Sequence, residues 1–201
     1  IPIILIMIYV LLVVFETHLS GAVLLIIIGG SMFLFGGKKQ VIRLLVIAGI
    51  VLAILLLVFF TNDYMIKRLT GSSQDEVYQE TQALYAIGSG GLTGLGFGKS
   101  RQKYLYLPES PNDFIFAIVC EELGFVGAAL IVILFGLLIW RGFEISLRVK
   151  NKFKSLIAFG ITVNLGAQII FNLLVVTDLL PVTGISLPFF SYGGTALMIE
   201  L

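Results

Sequence analysis

Three carboxylates, Asp113, Glu121 and Glu122, fall within the stretch PNDFIFAIVCEELG of a chain that is 58% hydrophobic and only 12% charged. Asp113 follows Pro111 and Asn112 and precedes an apolar run, which is where an N-cap side chain meets free helix N–H groups. A carboxylate there can equally serve as a general base toward a hydroxyl. Glu121 and Glu122 lie eight and nine residues farther on, about 12 to 14 Å deeper at 1.5 Å per residue. Ionisable groups at that depth in lipid are costly, so they must face protein or water and are functional candidates by default. Successive residues on a helix diverge by about 100°, so the two glutamates do not form one paired acid site.

Cations gather just upstream. Lys67, Arg68, Lys99, Arg101 and Lys103 alternate with Asp63, Asp75, Glu76, Glu80 and Glu109. Among them GFGKS resembles a phosphate-binding loop, but the glycine that motif needs five residues before Gly98 is Thr93, and no strand precedes it. GSGGLTGLGFG reads as a set of tight turns that only glycine accepts freely, with anion binding by their N–H groups as the other reading. Asn164, Gln168 and Asn172 recur every fourth residue of one apolar run and so share one face, suited to interhelical hydrogen bonding or to lining a groove. His18 beside Glu16 is the single histidine, which favours a solvated turn over a metal or proton site. Cys120, also single, is a small core residue.

These groups need helices to carry them. Mean hydropathy is +1.06, and a soluble domain runs about a quarter charged. Apolar runs at Ile1–Phe15, Leu19–Phe35, Val41–Phe60, Phe114–Trp140 and Ser155–Val176, and another from Leu187, approach or exceed the roughly 18 to 20 residues that span a hydrocarbon core. The expectation is an all-α polytopic membrane protein, one transmembrane domain over residues 1–201, and a fragment of a longer chain. GGKKQVIR and RGFEISLRVKNKFK hold eight of the 13 Lys and Arg residues, and the positive-inside rule assigns both to the cytoplasm. The segment 61–112 is then a large extracellular loop, too long for a connector and the natural seat of function. Within it DEVYQETQALYAI has helical spacing, with Val77, Leu84 and Ile87 on one side, and suits an amphipathic helix at the membrane surface. A net charge of +1 gives no reason to expect nucleic acid.

The elements YQ…Q, GSGG, GKSRQK, YLPE, NDFIFA, EELG and SYGG stand in one order along most of the chain after Glu16. In that order they resemble the SEDS family of shape, elongation, division and sporulation proteins, most closely its FtsW-like division branch, with the RodA-like and SpoVE-like branches as near alternatives. The resemblance implies ten transmembrane helices, of which this chain would supply about the last six, in the bacterial cytoplasmic membrane. It implies a peptidoglycan glycosyltransferase that polymerises lipid II, and it places the family's catalytic carboxylate on Asp113. Its implied partners are lipid II and the nascent glycan strand, a class B penicillin-binding transpeptidase, other division or elongation membrane proteins and membrane lipid. Two departures stand out: THLSG replaces the usual Pro-Asp-Leu-Gly, so that His18 takes the place of an acid, and PVTG puts Thr183 where a lysine is frequent.

Within that resemblance, a diphosphate is already a good leaving group, so one base suffices where glycoside hydrolysis needs a carboxylate pair. Asp113 is the candidate base. Lys67, Arg68, Arg101 and Lys103 are candidates to stabilise the diphosphate, with a divalent cation, Mg2+ or Mn2+, and no organic cofactor; Ser100 and Gln102 are further candidates to bind substrate. Gln79, Gln82, Glu109 and Ser191 would orient sugars or support the loop. Glu121 and Glu122 would line the cavity or pair with polar groups such as the Asn164, Gln168 and Asn172 stripe, and Gly124, Gly127 and Ala128 would permit close helix approach or a lateral opening. A lipid II flippase and a noncatalytic scaffold for the transpeptidase are the rival readings.

Overall fold

The computed structural model describes residues 2–15, 19–36, 74–107, 112–180, 182, 184–192 and 198. Every regular element among them is helical: α1 Pro2–Phe15, α2 Leu19–Gly36, α3 Gln74–Gly90, the short α4 Gln102–Leu105, α5 Ile115–Arg148 and α6 Lys152–Val176. Of these, α5 and α6 are long and apolar enough to cross a membrane. The expected span Val41–Phe60, His18, Thr183, Lys67, Arg68 and Glu109 lie outside the described residues.

The described helices fall into two compact units. In the first, Gly21 lies against Val13 and Gly29 against Ile6, a pairing that runs oppositely along α1 and α2 and makes them an antiparallel pair. Ala22 and Val10 fill the seam. Phe35 of α2 stacks on Phe159 of α6, centroids 4.4 Å apart. The same unit holds the turn between α5 and α6. The sequence suggests a short basic connection there, between spans ending at Trp140 and starting at Ser155, but α5 runs on to Arg148 and α6 begins at Lys152. Helix persists because Glu144 pairs with Arg141 at 2.6 Å and with Arg148 one turn later; such i,i+3 and i,i+4 pairs support an exposed helix. Asn151 Oδ1 then accepts the Phe153 N–H at 3.0 Å, an N-cap for α6.

The second unit holds α3, α4, α5 as far as Leu138 and α6 from Gln168. The helix expected within segment 61–112 is present and runs 17 residues, Gln74–Gly90. Its opposite face packs inward: Ala83 and Ala86 are fully buried, whereas Val77 and Leu84 of the expected surface-facing side are exposed and Ile87 is half-buried. Small residues win because the neighbouring backbone comes too near for anything larger: a Cβ at Gly90 would fall on the Cys120 carbonyl oxygen.

Candidate active site

The apolar run expected as one span at Phe114–Trp140 is a helix with a break. Gly124 has φ 66°, ψ −169°, a conformation essentially reserved for glycine. The break leaves the carbonyls of Glu121 and Glu122 above it and the N–H groups of Phe125 and Val126 below it without helical partners, and each must find another. The glycine-rich loop supplies all four. Leu95 N donates to Glu121 O at 2.9 Å and Gly96 N to Glu122 O at 3.0 Å, while Gly91 O accepts from Phe125 N at 2.9 Å and Leu92 O from Val126 N at 3.2 Å. A Cβ at Gly94 would strike the Glu122 carbonyl, and one at Gly124 would strike Gly94 N. GSGGLTGLGFG is thus a backbone plug in a broken helix. Gly124 receives the loop, rather than easing the approach of another helix.

Glu121 is 1% exposed, and its carboxylate faces the loop's far end. Oε1 accepts from Arg101 N at 3.0 Å, and Oε2 accepts from the Ser100 hydroxyl and from Gln102 N at 3.4 Å. Ser100 Oγ in turn accepts from Lys103 N at 3.1 Å. The carboxylate therefore closes the entrance to α4 with charge-assisted hydrogen bonds, the strong kind. These three donors lie on residues 100–102, which the plug brings to the glutamate. Ser100 is 3% exposed and its hydroxyl is engaged by Glu121, while Arg101 and Lys103 project into solvent. Lys103 Nζ lies 5.6 Å from the Tyr104 ring centroid. Glu122 is also buried, and its Oε1 has no partner among the described residues.

Asp113 stands in the turn 112–114, one residue before the capping position, since α5 begins at Ile115 and Phe114 O accepts the first helical bond, from Ala117 N at 3.0 Å. Its backbone is held from two directions. Asn172 of α6, 1% exposed, donates from Nδ2 to Asp113 O and to Ile185 O, each at 2.8 Å. Ser191 Oγ donates to Asn112 O at 2.6 Å and accepts from Leu187 N at 2.7 Å. Two side chains thus tie residues 112–113 to α6 and to the segment 184–191. Asp113 is half-buried, with Oδ2 at van der Waals distance, 3.9 Å, from where a Cβ on Gly184 would stand. Phe189, two residues before Ser191, has φ 64°, and backbone strain of this kind in a bulky residue persists only where surrounding structure enforces it. Phe190 anchors the segment edge-on to Phe135, centroids 5.6 Å apart.

Of the residues singled out by sequence, Asp113, Asn172 and Ser191 come together in this clamp, and Ser100, Arg101, Gln102, Lys103 and Glu121 in the α4 entrance. Gln79 and Gln82 are half-buried on α3, and Asn164 and Gln168 half-buried on α6. Two participants escaped notice, Gly184 and the break at Gly124. A polar pair followed within two residues by glycine is a helix-end pattern, but the apolar run that continues beyond Gly124 conceals it.

The family model described as cell cycle protein, FtsW/RodA/SpoVE, matches residues 1–201. Stage V sporulation protein E of Bacillus subtilis (strain 168) is 50% identical over 144 residues, 69% of this chain and 39% of that protein. A probable peptidoglycan glycosyltransferase FtsW of Hahella chejuensis (strain KCTC 2396) is 47% identical over 146 residues, 68% of this chain and 37% of that protein. The chain thus spans less than half the length of these curated relatives. Among solved structures, a peptidoglycan synthase complex studied for its coordination of polymerization and crosslinking is similar with a TM-score of 0.76 and 27% identity, over 98% of this chain and 56% of that one. The rod shape determining protein RodA of Thermus thermophilus is similar with a TM-score of 0.61 and 28% identity, over 99% and 51%. The fold is that of an all-helical membrane protein.

Proposed function

The chain belongs to the FtsW/RodA/SpoVE family of cell cycle proteins, and from that premise we propose that the Asp113 turn is the catalytic centre of a peptidoglycan glycosyltransferase. The full protein polymerises lipid II into glycan strands at the outer face of the bacterial cytoplasmic membrane, for division or cell shape. The observation that carries this reading is the two-sided clamp: Asn172 and Ser191 fix the backbone at 112–113, with Asp113 half-buried beside Gly184. A base held to its place is what proton transfer in a transition state requires. The name peptidoglycan glycosyltransferase, carried by the Hahella relative, supports the same chemistry.

In this mechanism the Asp113 carboxylate takes the proton of an acceptor sugar hydroxyl as that oxygen bonds to the donor's anomeric carbon. The bond from that carbon to the diphosphate oxygen breaks, and the lipid diphosphate leaves with the electron pair. Arg101 and Lys103, exposed on the strip that Glu121 closes, offset the growing negative charge; Lys67 and Arg68 are assigned the same role. Gln79, Gln82 and Glu109 orient sugars. Ser100 acts through the fold of the strip. No group of three or more His, Cys, Asp or Glu among the described residues could hold a metal. Mg2+ or Mn2+ would supply counter-charge to the diphosphate, bound largely through the substrate's own phosphates as Mg2+ sites commonly are, and no step is routed through it.

The partner is a class B penicillin-binding transpeptidase, a reading supported by the likeness to a synthase complex that couples polymerization and crosslinking. A flippase would need polar side chains free to meet a passing headgroup. Both donors of Asn172 are instead engaged by backbone carbonyls, which favours polymerisation. The test is lipid II polymerisation by the full protein with its transpeptidase, wild type against Asp113→Asn. A loss of about 10² to 10⁴ fold with the complex intact is expected. Undiminished glycan synthesis would remove Asp113 from the chemistry, and lipid II translocation without any polymerisation by the wild type would establish the flippase instead.

A further inference from the structure

We propose that the loop tip around Phe97 is a membrane anchor, inserting into the headgroup layer of the leaflet on the Asp113 side, with the break at Gly124 marking the edge of the hydrocarbon. Four backbone hydrogen bonds tie residues 91–96 to the two sides of that break, so the loop's level along α5 is fixed. Burial along α5 changes at the same level. Phe114, Phe116, Ala117, Ile118 and Cys120 above it are buried, whereas below it Ala128, Ile131 and Phe135 keep one face buried and Phe125, Val126, Leu130, Ile133, Leu134 and Leu137 are exposed. A helix face that is apolar and uncovered suits acyl chains. The distance fits as well, since Phe125 to Trp140 rises about 24 Å, most of a hydrocarbon core of roughly 30 Å, and Arg141 follows at once.

At the level so defined, Phe97 is 87% exposed, between two glycines of positive φ, Gly96 and Gly98. Leu92, Tyr104 and Tyr106 are exposed with it, and so are the cations Lys99, Arg101 and Lys103. An apolar tip among tyrosines and cations is the composition of the membrane–water interface, where rings sit at headgroup level and cations meet lipid phosphates. The occupant is therefore phospholipid, anionic phospholipid above all. The inference does not depend on the catalytic role of Asp113.

These 201 residues hold one tryptophan and one cysteine, so only Trp140 needs replacing within them. The full protein carrying Phe97→Trp, with Trp140 and every tryptophan outside these residues replaced by phenylalanine, is reconstituted in vesicles of phosphatidylglycerol and phosphatidylethanolamine doped with brominated phosphatidylcholine. Bromines placed high on the acyl chain should quench at least about half of the emission, and more than bromines near the chain end, as an interfacial ring requires; aqueous acrylamide should quench little. Quenching by acrylamide alone, or most strongly by the deepest bromines, would overturn the proposal. So would resistance to both quenchers, which would mean that protein covers the tip. Should Phe97→Trp not fold, a spin label at Phe97→Cys, with Cys120 and every cysteine outside these residues replaced by alanine, reports the same: higher collision with oxygen than with a water-soluble nickel chelate supports insertion, and the reverse order refutes it.

Discussion

Gly124→Ala tests whether the broken helix is built as described. An alanine at φ 66°, ψ −169° bears backbone strain of about 1 to 3 kcal/mol. Its Cβ would also strike Gly94 N and approach Leu92 O within 2.6 Å, and these are backbone atoms that cannot swing aside. The loop must therefore lift, breaking the bonds from Leu95 N, Gly96 N, Phe125 N and Val126 N. At about 1 kcal/mol net for each bond, the total is about 6 kcal/mol. Gly136→Ala is the matched control: it lies in the same helix, with nothing within 4 Å of the added methyl, and gains helix propensity. Hydrogen exchange on the full protein in detergent is the assay. Protection at Leu95 and Gly96 should fall by at least about a thousandfold in Gly124→Ala, and the midpoint of thermal unfolding by more than about 10 °C. Gly136→Ala should leave both unchanged or slightly raised. Protection in Gly124→Ala within about tenfold of wild type would refute the idea that this break holds the loop.

Ser191→Ala removes one clamp on the Asp113 turn, leaving Asn112 O and Leu187 N to find new partners; kcat for polymerisation should fall by about 10 to 100 fold with KM little changed, as for loss of positioning. Asn172→Leu frees two buried carbonyls but also removes Oδ1, which has no partner among the described residues. Its stability loss should therefore be modest, about 1 to 3 kcal/mol by thermal unfolding, while its activity falls at least as far as that of Ser191→Ala. Glu121→Ala strips the acceptor from Arg101 N, Gln102 N and the Ser100 hydroxyl. Exchange at those amides should rise well above that in Lys99→Ala, a neighbour on the same loop with an exposed side chain, and equal protection in the two would show the carboxylate to be dispensable for the strip.

Much of this protein is legible in its sequence, because hydrophobic runs and polar interruptions act locally. Apolar length fixes α5 and α6 as membrane-length helices, the proline and aspartate before Phe114 mark the entrance to α5, and the motif order from Gln79 to the SYGG element identifies the family. What the other face of α3 packs against was not legible. Periodicity marks the side of Val77, Leu84 and Ile87, whereas the side of Ala83, Ala86 and Gly90 is set by how closely the Cys120 carbonyl approaches Gly90. The partner of Glu121 was hidden for a related reason. A carboxylate inside an apolar run announces that it must be satisfied, but the satisfying donors lie about twenty residues upstream and arrive only through the plug.

The sequence by itself determined that the chain is helical, membrane-embedded and equipped with one carboxylate at the mouth of a long helix. Only the tertiary structure decided that this helix breaks at Gly124, that the glycine-rich loop fills the break, and that Asn172 and Ser191 hold the Asp113 turn from opposite sides. The physical reason is the range of the forces concerned. Helix formation and membrane insertion depend on neighbours within a few residues, while an unpaired backbone group accepts any donor the fold brings near, however distant in sequence.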